Sequence, residues 1–362
     1  MDTREMLAFG RFRRDERLAL SVAAEQAAFT LHAEESAEEA GRWLASHEAS
    51  AMLLDSEASE SLAVQTRSSA RHTLLPIIAL SREVTDLSFS DAFSWGADDL
   101  LPLERTRALL TRLRTLPRET PTPPSAGRGM ALVADADRTR RTVVGRVLRN
   151  AGYAVTFAVS AEDAARFSQT ADLRLAVLNA ELASDFRATI DAARASGSSA
   201  NFIVCVAPRE LRPVRAALDG LTGVSAIDAF APPENVLFAS NELKGGAVNN
   251  RKSPRILYGT MVAFRGAGRD KDDHGFSYNV SESGLYIRTL APPEDNEAWL
   301  ELCPPRSERR VRLVGKVAWR RRFGHNDNAT VPPGFGVSIV DGAKADLEAW
   351  RAGYASLMAA LG

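Results

Sequence analysis

Short apolar runs alternate with longer amphipathic stretches through the first two thirds of this 362-residue chain. Before residue 116, the runs MLAFG, AFTLHA, SAMLLD and LLPIIALS have the length and composition of buried strands, and SAEEAGRWLA and RTRALLTRLRTL those of helices. Apolar strands that alternate with amphipathic helices predict a parallel sheet covered by helices on both faces. The pattern repeats after residue 129 in MALVAD, YAVTFAV, LRLAVLN and NFIVCVA. We therefore expect two α/β doubly wound units of one kind.

Two polar segments divide the chain into three pieces. LPRETPTPPSAGRG, residues 116–129, is rich in Pro, Thr, Ser and Gly and has no apolar period, which is typical of an extended, solvated tether. LKGGAVNN, residues 243–250, is shorter and rich in glycine. The predicted division is a first α/β domain at 1–117, a linker at 118–129, a second α/β domain at 130–243, a short linker at 244–250 and a third domain at 251–362.

The third piece has a different pattern. VRLVGKVAW alternates apolar and polar residues with a period of two, as a half-buried strand does. Its interior face is predicted to hold Val311, Leu313, Val317 and Trp319. GLYIRTL and GFGVSIV are further short strands bounded by Gly and Pro. Several short strands close together predict an antiparallel β-barrel.

One helix follows the barrel, from about residue 343. A single apolar stripe runs along it at helical spacing and consists of Leu347, Trp350, Tyr354, Leu357 and Leu361. The stripe either packs on the barrel or pairs with a second copy of the chain in a homodimer, and the sequence leaves both open.

Composition limits the class of protein. Hydrophobic residues make up 45% and charged residues 25% of the chain, as in globular proteins, and no apolar run approaches the roughly 18 residues of a membrane helix. The N-terminus has no signal-peptide core, so we expect a cytoplasmic protein without membrane insertion. Neither cysteine has metal-ligand neighbours, which predicts no metal site. The formal net charge of −1 gives no general attraction to nucleic acid.

Two short motifs occur in order at the start of the third piece. Arg251 and Arg255 form R-x-x-x-R within RKSPR, and Asn279, Ser281 and Gly284 form N-x-S-x-x-G. Each motif alone has a simpler interpretation, as solvated charges on a linker or as a hairpin turn built from turn-forming residues. Together, and followed by VGKVAWRRR and PPGFGVSIVDG, they make the third piece similar to the PilZ domain, a small barrel that binds cyclic di-GMP.

The resemblance implies that these five residues bind cyclic di-GMP and that no cofactor is needed. The chemistry agrees, because a guanidinium is planar and always charged, and can bind a phosphate or the O6 and N7 atoms of guanine with two hydrogen bonds. Asn279 and Ser281 offer short polar groups to a base edge. Lys252 is expected to be a rim charge. Arg320–Arg322 is either a solvated strand end or an extension of the anionic site.

The first two pieces resemble response-regulator receiver domains. ALVADADRTRRTVVGRVLRNAGYAVTFAVSAEDA is similar to the opening of that family, and SAMLLDSEAS, LLPIIALS and FSWGADDLLP are similar to its third, fourth and fifth strands. Phosphotransfer in that family requires an aspartate that takes the phosphoryl group, carboxylates that hold Mg²⁺, a hydroxyl group and a lysine.

The first piece lacks part of this set. It keeps Asp55 at the phosphoacceptor position and Ser81 at the hydroxyl position. Gly10 and Arg11 stand where the acidic pair is expected, and Leu103 stands where the lysine is expected. A cation such as Arg11 repels a metal ion, so we expect no phosphotransfer here.

The second piece lacks a different part of the set. It keeps the acidic pair as Asp135 and Asp137, but Asn179 occupies the phosphoacceptor position, and an amide cannot become an acyl phosphate. Ala207 and Pro232 replace the hydroxyl group and the lysine. Both pieces are therefore interpreted as degenerate pseudo-receivers that serve protein interaction or dimerisation.

These features predict a non-enzymatic signalling effector that binds cyclic di-GMP through its barrel and contacts unidentified partner proteins. Binding is expected to order the arm around Arg251 and Arg255 and to re-orient the barrel against the preceding domain. One alternative is a protein-interaction scaffold whose barrel no longer binds nucleotide. Another is a phospho-switch that acts through Asp55.

Overall fold

The computed structural model describes residues 3–57, 59–119, 121, 125–245, 253–266, 272–324 and 330–361. It contains two α/β units with five parallel strands each, then a closed antiparallel barrel and a C-terminal helix. The fold class predicted from the sequence is confirmed. Within the described residues, no helix combines the length and apolar character needed to cross a membrane.

The first unit alternates five strands with five helices. Its elements are β1 (Arg4–Phe9), α1 (Arg14–Gln26), β2 (Phe29–Glu34), α2 (Ala37–Ser46), β3 (Ala49–Asp55), α3 (Glu60–Ser68), β4 (Ile77–Ser81), α4 (Asp86–Ser94), β5 (Asp99–Pro102) and α5 (Thr106–Thr115). The sheet order is β2-β1-β3-β4-β5, which is a doubly wound order shared by flavodoxin-like folds. Strands β3 and β4 are buried on both faces, as their continuous apolar sequences predict.

The second unit repeats this topology. Its elements are β6 (Met130–Ala134), α6 (Arg138–Asn150), β7 (Ala154–Ala158), α7 (Ala161–Ser168), β8 (Leu173–Asn179), α8 (Phe186–Ala195), β9 (Asn201–Val206), a 3₁₀ turn (Pro208–Glu210), α9 (Leu211–Leu218), β10 (Val224–Asp228) and α10 (Asn235–Gly245). The sheet order, β7-β6-β8-β9-β10, matches that of the first unit strand for strand. Helix α10 continues two residues beyond the predicted end of this domain at 243.

The third unit is a barrel of six strands with one short additional strand. Its elements are β11 (Ile256–Leu257), β12 (Met261–Gly266), β13 (Asp273–Ser281), β14 (Gly284–Arg288), β15 (Glu297–Leu302), β16 (Val311–Arg321), β17 (Gly334–Gly342) and α11 (Lys344–Leu361). The barrel closes in the order β13-β12-β15-β16-β17-β14, because β14 pairs again with β13. Trp350 and Tyr354 of α11 are buried in the barrel's core cluster, so the apolar stripe packs on the barrel.

Two consecutive carboxylates at the start of β5 connect the first unit to the other two. Asp98 accepts hydrogen bonds from Arg67 of its own unit at 2.8 Å and from Arg146 of the second unit at 2.7 Å. Asp99 accepts from Arg112 of its own unit at 3.1 Å and from the backbone N–H of Leu290 in the barrel at 2.9 Å. Both carboxylates are almost fully buried, so each needs its cation in place.

Apolar contacts support the docking of the barrel on the first unit. Phe276 of β13 packs against two rings of α4, with ring centroids 5.2 Å from Phe89 and 5.8 Å from Phe93. At the start of the same helix, Asp86 accepts a hydrogen bond of 2.6 Å from the backbone N–H of Met261. The barrel therefore rests on the surface formed by α4, β5 and α5, although the second unit separates the two in sequence.

Part of the predicted tether is in contact with folded structure. Leu116 is 5% exposed and packs in a cluster that includes Leu290 of the barrel. The Pro117 carbonyl accepts a hydrogen bond of 2.9 Å from Arg4. A Cβ added to Gly324 of the barrel would lie 2.8 Å from Pro121 and 2.9 Å from Pro117. Leu116, Pro117 and Pro121 thus lie against the barrel, where the sequence predicts a solvated tether.

We expect Asp98→Asn to lower the free energy of unfolding by about 3–5 kcal/mol, because it leaves two buried guanidinium groups without a counter-charge. Denaturant titration measures this. Asp191→Asn is the matched control, since Asp191 forms an exposed pair with Arg187, and it should change stability by no more than about 0.5 kcal/mol. Equal losses in the two variants would contradict the role given to Asp98.

The ion pairs of Asp98 with Arg67 and Arg146 also predict that the stability of the fold depends on pH. Burial by itself raises the pKa of the Asp98 carboxyl, but the guanidinium groups of Arg146 and Arg67 bring that pKa below its ordinary value overall. A carboxyl with a lowered folded-state pKa stabilises the fold above its unfolded-state pKa. The stability advantage of wild type over Asp98→Asn should therefore be complete at neutral pH and decrease as the pH falls below about 4.

Candidate nucleotide-binding site

Strand β11 brings the two predicted motifs together. It pairs with β13 so that Ile256 lies opposite Val280 and Leu257 opposite Asn279. Extending this antiparallel register by one residue puts Arg255 opposite Ser281. Arg255 is exposed, so its side chain is accessible at this edge. Arg251 and Lys252, the other two cations of the RKSPR run, lie outside the described residues.

A concavity of about 120 Å³ lies beside this pairing. Four predicted site residues line it, together with residues that the motifs do not include: Arg255, Asn279, Ser281, Ser283, Gly284, Leu285, Tyr286, Ala318, Trp319, Gly336, Val337 and Ser338. Its walls come from β13, β14, β16 and β17. The structure therefore places Arg255 and the N-x-S-x-x-G motif on one surface, with aromatic rings as additional neighbours.

The N-x-S-x-x-G motif is the hairpin that connects β13 to β14. Ser281 pairs with Gly284 across a two-residue loop, and the Ser281 hydroxyl donates to the Gly284 carbonyl at 3.2 Å. Asn279 is 4% exposed, and its side chain has no hydrogen-bond partner among the described residues. That amide can therefore bind a ligand without breaking an internal bond.

Gly284 is required by close packing. A Cβ at this position would lie 2.2 Å from the carbonyl oxygen of Val337 on β17, well inside van der Waals contact. The sequence predicted a glycine that allows a turn and a close approach, and the approach is that of β14 to β17. Replacing Gly284 would separate two strands that form the wall of the concavity.

Trp319 is a site residue that the alternating pattern assigned incorrectly. The sequence predicts it on the interior face with Val317. In the structure, Val317 pairs with Val337 and Trp319 pairs with Gly336, so Ala318 is an extra residue that forms a β-bulge. The bulge turns the indole outward, where it is 38% exposed.

The Trp319 indole lies against two groups that fix its orientation. Its ring stacks on Tyr286, with centroids 4.9 Å apart and planes 27° apart. Behind it, Gly336 leaves the necessary space, because a Cβ there would lie 2.6 Å from the indole nitrogen. The Tyr286 hydroxyl donates to the Pro332 carbonyl at 2.7 Å. The Trp319 indole is therefore an aromatic surface of restrained orientation at the edge of the concavity.

The C-terminal helix holds the backbone on both sides of this site. Tyr354 donates a hydrogen bond of 2.8 Å to the carbonyl of Pro254, next to Arg255. Trp350 donates one of 2.9 Å to the carbonyl of Glu282 in the hairpin loop. Helix α11 therefore contributes to the geometry of both motifs.

Two of the three arginines at Arg320–Arg322 bind a neighbouring loop at residues 293–295. Arg320 donates to the carbonyls of Pro293, Glu294 and Asp295 at 2.6, 3.0 and 2.5 Å. Arg322 pairs with the Glu294 carboxylate at 2.7 Å. These contacts favour the interpretation of a strand end over an extension of the anionic site.

In the first unit, the predicted phosphoacceptor position at Asp55 has a cation beside it. Arg82 lies 3.5 Å from the Asp55 carboxylate and 3.1 Å from that of Glu16. It also donates to the Arg11 carbonyl at 3.0 Å. The sequence predicts that Arg11 would repel a metal ion; both Arg11 and Arg82 are exposed, and the guanidinium that contacts Asp55 is that of Arg82.

The other three predicted positions around Asp55 are occupied by groups that make contacts within the unit or that are apolar. The Ser81 hydroxyl donates to the Glu83 carbonyl at 2.5 Å. Gly10 has a φ of +144°, and a Cβ there would lie 2.2 Å from the Cβ of Asp55, so no acidic side chain fits at that position. Leu103 is 7% exposed and apolar.

The pocket of the second unit is closed by hydrogen bonds. Arg140 donates to both oxygens of Asp135, at 3.0 and 3.1 Å, and the Asn179 amide donates to the same carboxylate at 2.9 Å. Asp137 caps α6 by accepting from the Arg140 backbone at 2.7 Å. Over the described ranges, no group of three or more His, Cys, Asp or Glu residues is arranged to hold a metal ion.

Comparisons with known proteins find similar folds at low identity. No family model matches the chain, and no curated protein matches it. The chain is similar to the Bacillus subtilis inhibitor of motility MotI/DgrA, with 15% identity and a TM-score of 0.26 over 31% of this chain and about half (53%) of that protein. It is also similar to the chemotaxis response regulator CheY4 of Vibrio cholerae, with 15% identity and a TM-score of 0.28 over 31% of this chain and 98% of the other.

The barrel has a counterpart as well. The PilZ domain of CeSA from a cellulose-synthesizing bacterium is 14% identical, with a TM-score of 0.21 over 30% of this chain and 98% of that domain. The sheet orders of the first two units are receiver-like, and the barrel closure and motifs of the third are PilZ-like.

We expect no phosphoryl transfer to Asp55, because Arg82 stands beside its carboxylate and Gly10 leaves no acidic partner for Mg²⁺. Incubation with acetyl phosphate and Mg²⁺, followed by intact-mass measurement, should give no adduct. A phosphoryl adduct that is present in wild type and absent in Asp55→Asn would overturn this expectation and favour the phospho-switch.

Proposed function

We propose that this chain is a cyclic di-GMP-binding signalling effector whose barrel holds the nucleotide. The observation that carries the proposal is the pairing of β11 with β13, which brings Arg255 of one motif beside Ser281 of the other at a shared concavity. Beside this pairing, the Asn279 amide has no hydrogen-bond partner among the described residues and is available to a ligand. A ligand with both phosphates and bases accounts for the convergence.

Each residue then has a role that follows from its chemistry. The concavity of about 120 Å³ is smaller than a dinucleotide, so it receives one guanine edge, with Asn279 and Ser281 as hydrogen-bonding groups. Trp319 stacks on a base, since every base has a π-face that an indole can cover. Arg255 and Arg251 bind a phosphate or the O6 and N7 atoms of guanine.

In this proposal the two α/β units serve as interaction surfaces for partner proteins in the cytoplasm. Their pockets contain internal guanidinium groups, Arg82 and Arg140, next to the aspartates. We therefore propose a binding protein and not an enzyme. The alternative scaffold function predicts no nucleotide binding at all, which the first experiment below distinguishes.

Arg255→Ala should weaken cyclic di-GMP binding by roughly ten- to a hundredfold, since a charge-assisted hydrogen bond contributes about 1.5–3 kcal/mol. Calorimetric titration measures the affinity. Lys252→Ala, a change of charge in the same run, should reduce the affinity by less than about threefold, as expected of a rim charge. Equal losses in both variants would mean that the run acts only as a diffuse positive field, and no binding by wild type would support the scaffold.

Trp319→Ala should weaken the same binding by about five- to a hundredfold, because stacking on an aromatic side chain contributes about 1–3 kcal/mol per base. Trp299 provides a matched control, since it is another partly exposed tryptophan of the barrel, 47% exposed, and does not line the concavity. Trp299→Ala should leave the affinity within about twofold. If the two substitutions have the same effect, the stacking role of Trp319 is wrong.

A further inference from the structure

Strand β14 runs from the candidate site to the junction of the three units. Side chains alternate along a strand, so Gly284, Tyr286 and Arg288 share one face, while Leu285 and Ile287 face the barrel core. Gly284 and Tyr286 line the concavity. Arg288, at the other end of the same face, is 2% exposed. Strand β14 therefore connects the concavity to this junction.

Arg288 contacts both of the other units. Its guanidinium donates to the two carboxylate oxygens of Glu234 in the second unit, at 2.8 and 2.9 Å. It also donates to the Ala97 carbonyl of the first unit at 3.2 Å and lies 3.5 Å above the Phe93 ring. A charge this deeply buried is stable only with its partners in place. Arg288 therefore ties the position of β14 to the docking of both units.

Strand β13 makes a second connection to the same acidic residue. Tyr278 is the extra residue of a bulge directly before Asn279, and its hydroxyl donates to the backbone carbonyl of Glu234 at 2.6 Å. Its ring lies 6.0 Å from that of Tyr286 and 6.3 Å from that of Phe238 in α10. Both strands of the motif hairpin thus reach Glu234.

Helix α10 begins directly after Glu234 and leads toward the arginine arm. Asn241 of this helix donates to the Thr330 carbonyl of the barrel at 2.8 Å. The docking of α10 on the barrel is therefore part of the same junction.

We propose that Glu234 is a positioning residue for the nucleotide site, through which ligand binding and docking of the second unit on the barrel favour each other. The inference rests on the proposed function, because it concerns the regulation of that site. It differs from the sequence-based expectation of a barrel that swings against the preceding domain, since ligand binding here strengthens an existing junction. Such coupling is reciprocal by thermodynamic linkage.

The test is a titration of the full chain with cyclic di-GMP. Glu234→Gln removes the charge that Arg288 binds, and Tyr278→Phe removes a single hydroxyl and keeps the ring, so at least one variant should fold. We expect each to weaken binding by about fivefold or more, at the lower end of typical coupling. Glu301→Gln is the control, because the ion pairs of Glu301 in the described part of the chain are with Arg310 and Arg312 of the barrel, and it should leave the affinity within about twofold.

Hydrogen exchange separates positioning from plain stability. In wild type, ligand should slow amide exchange in α10 and around residues 97–99, and this ligand-dependent difference should be reduced in Glu234→Gln. A residue that only stabilises the fold would speed exchange equally with and without ligand.

The outcomes distinguish the two proposals. If wild type binds cyclic di-GMP, but neither Glu234→Gln nor Tyr278→Phe changes the affinity beyond the Glu301→Gln control, the coupling is overturned and the proposed function stands. If wild type does not bind, both are overturned.

Discussion

The arrangement of the three units depends on the adjacent carboxylates of Asp98 and Asp99. Consecutive residues of an extended segment point to opposite sides, so one carboxylate meets Arg146 of the second unit and the other meets Leu290 of the barrel. Burying two like charges next to each other is unfavourable unless each is matched, and Arg67 and Arg112 supply that match from within the first unit. A single dipeptide therefore determines which surface faces each neighbour.

These contacts also fix the position of the barrel that carries the candidate site. Phe276 packs against α4 of the first unit, and Arg288 binds Glu234 of the second unit. The surface of the first unit formed by α4, β5 and α5 is consequently covered by part of the same chain. Any partner of the two α/β units must use other faces while the junction is closed.

The sequence predicted the features that depend on local patterning. Apolar runs and helical periods are set by nearest neighbours, and they predicted both sheets and the barrel. They also predicted the apolar stripe of α11 but left open what the stripe packs against. Four of the five predicted site residues, Arg255, Asn279, Ser281 and Gly284, line one concavity, and their role in binding a ligand stays a prediction. The assignment of Trp319 failed because a bulge of one residue at Ala318 reverses every later side chain, and the alternating pattern contains no mark of it.

The cations near the aspartates and at the junction could not be predicted for a different reason. Arg82, Arg140 and Arg288 have nothing in their local sequence that distinguishes them from surface arginines. Arg82 and Arg288 act on residues distant in sequence, such as Glu234, which is 54 residues from Arg288. Arg140 acts on Asp135, five residues away, across the turn that precedes α6. Arginines of the same chain lie next to Asp55 and Asp135, so the charges of these two carboxylates are balanced within the folded protein.

The docking of the barrel on the first unit affects how the chain emerges during synthesis. Asp99 and Leu290 are separated by 191 residues, so at about 5–20 residues per second the ribosome needs on the order of 10–40 s to deliver the second after the first. Throughout that interval Phe89, Phe93 and the buried face of β5 have no cover from the barrel. The nascent first unit therefore presents an apolar surface that molecular chaperones can recognise until the final third of the protein has been made.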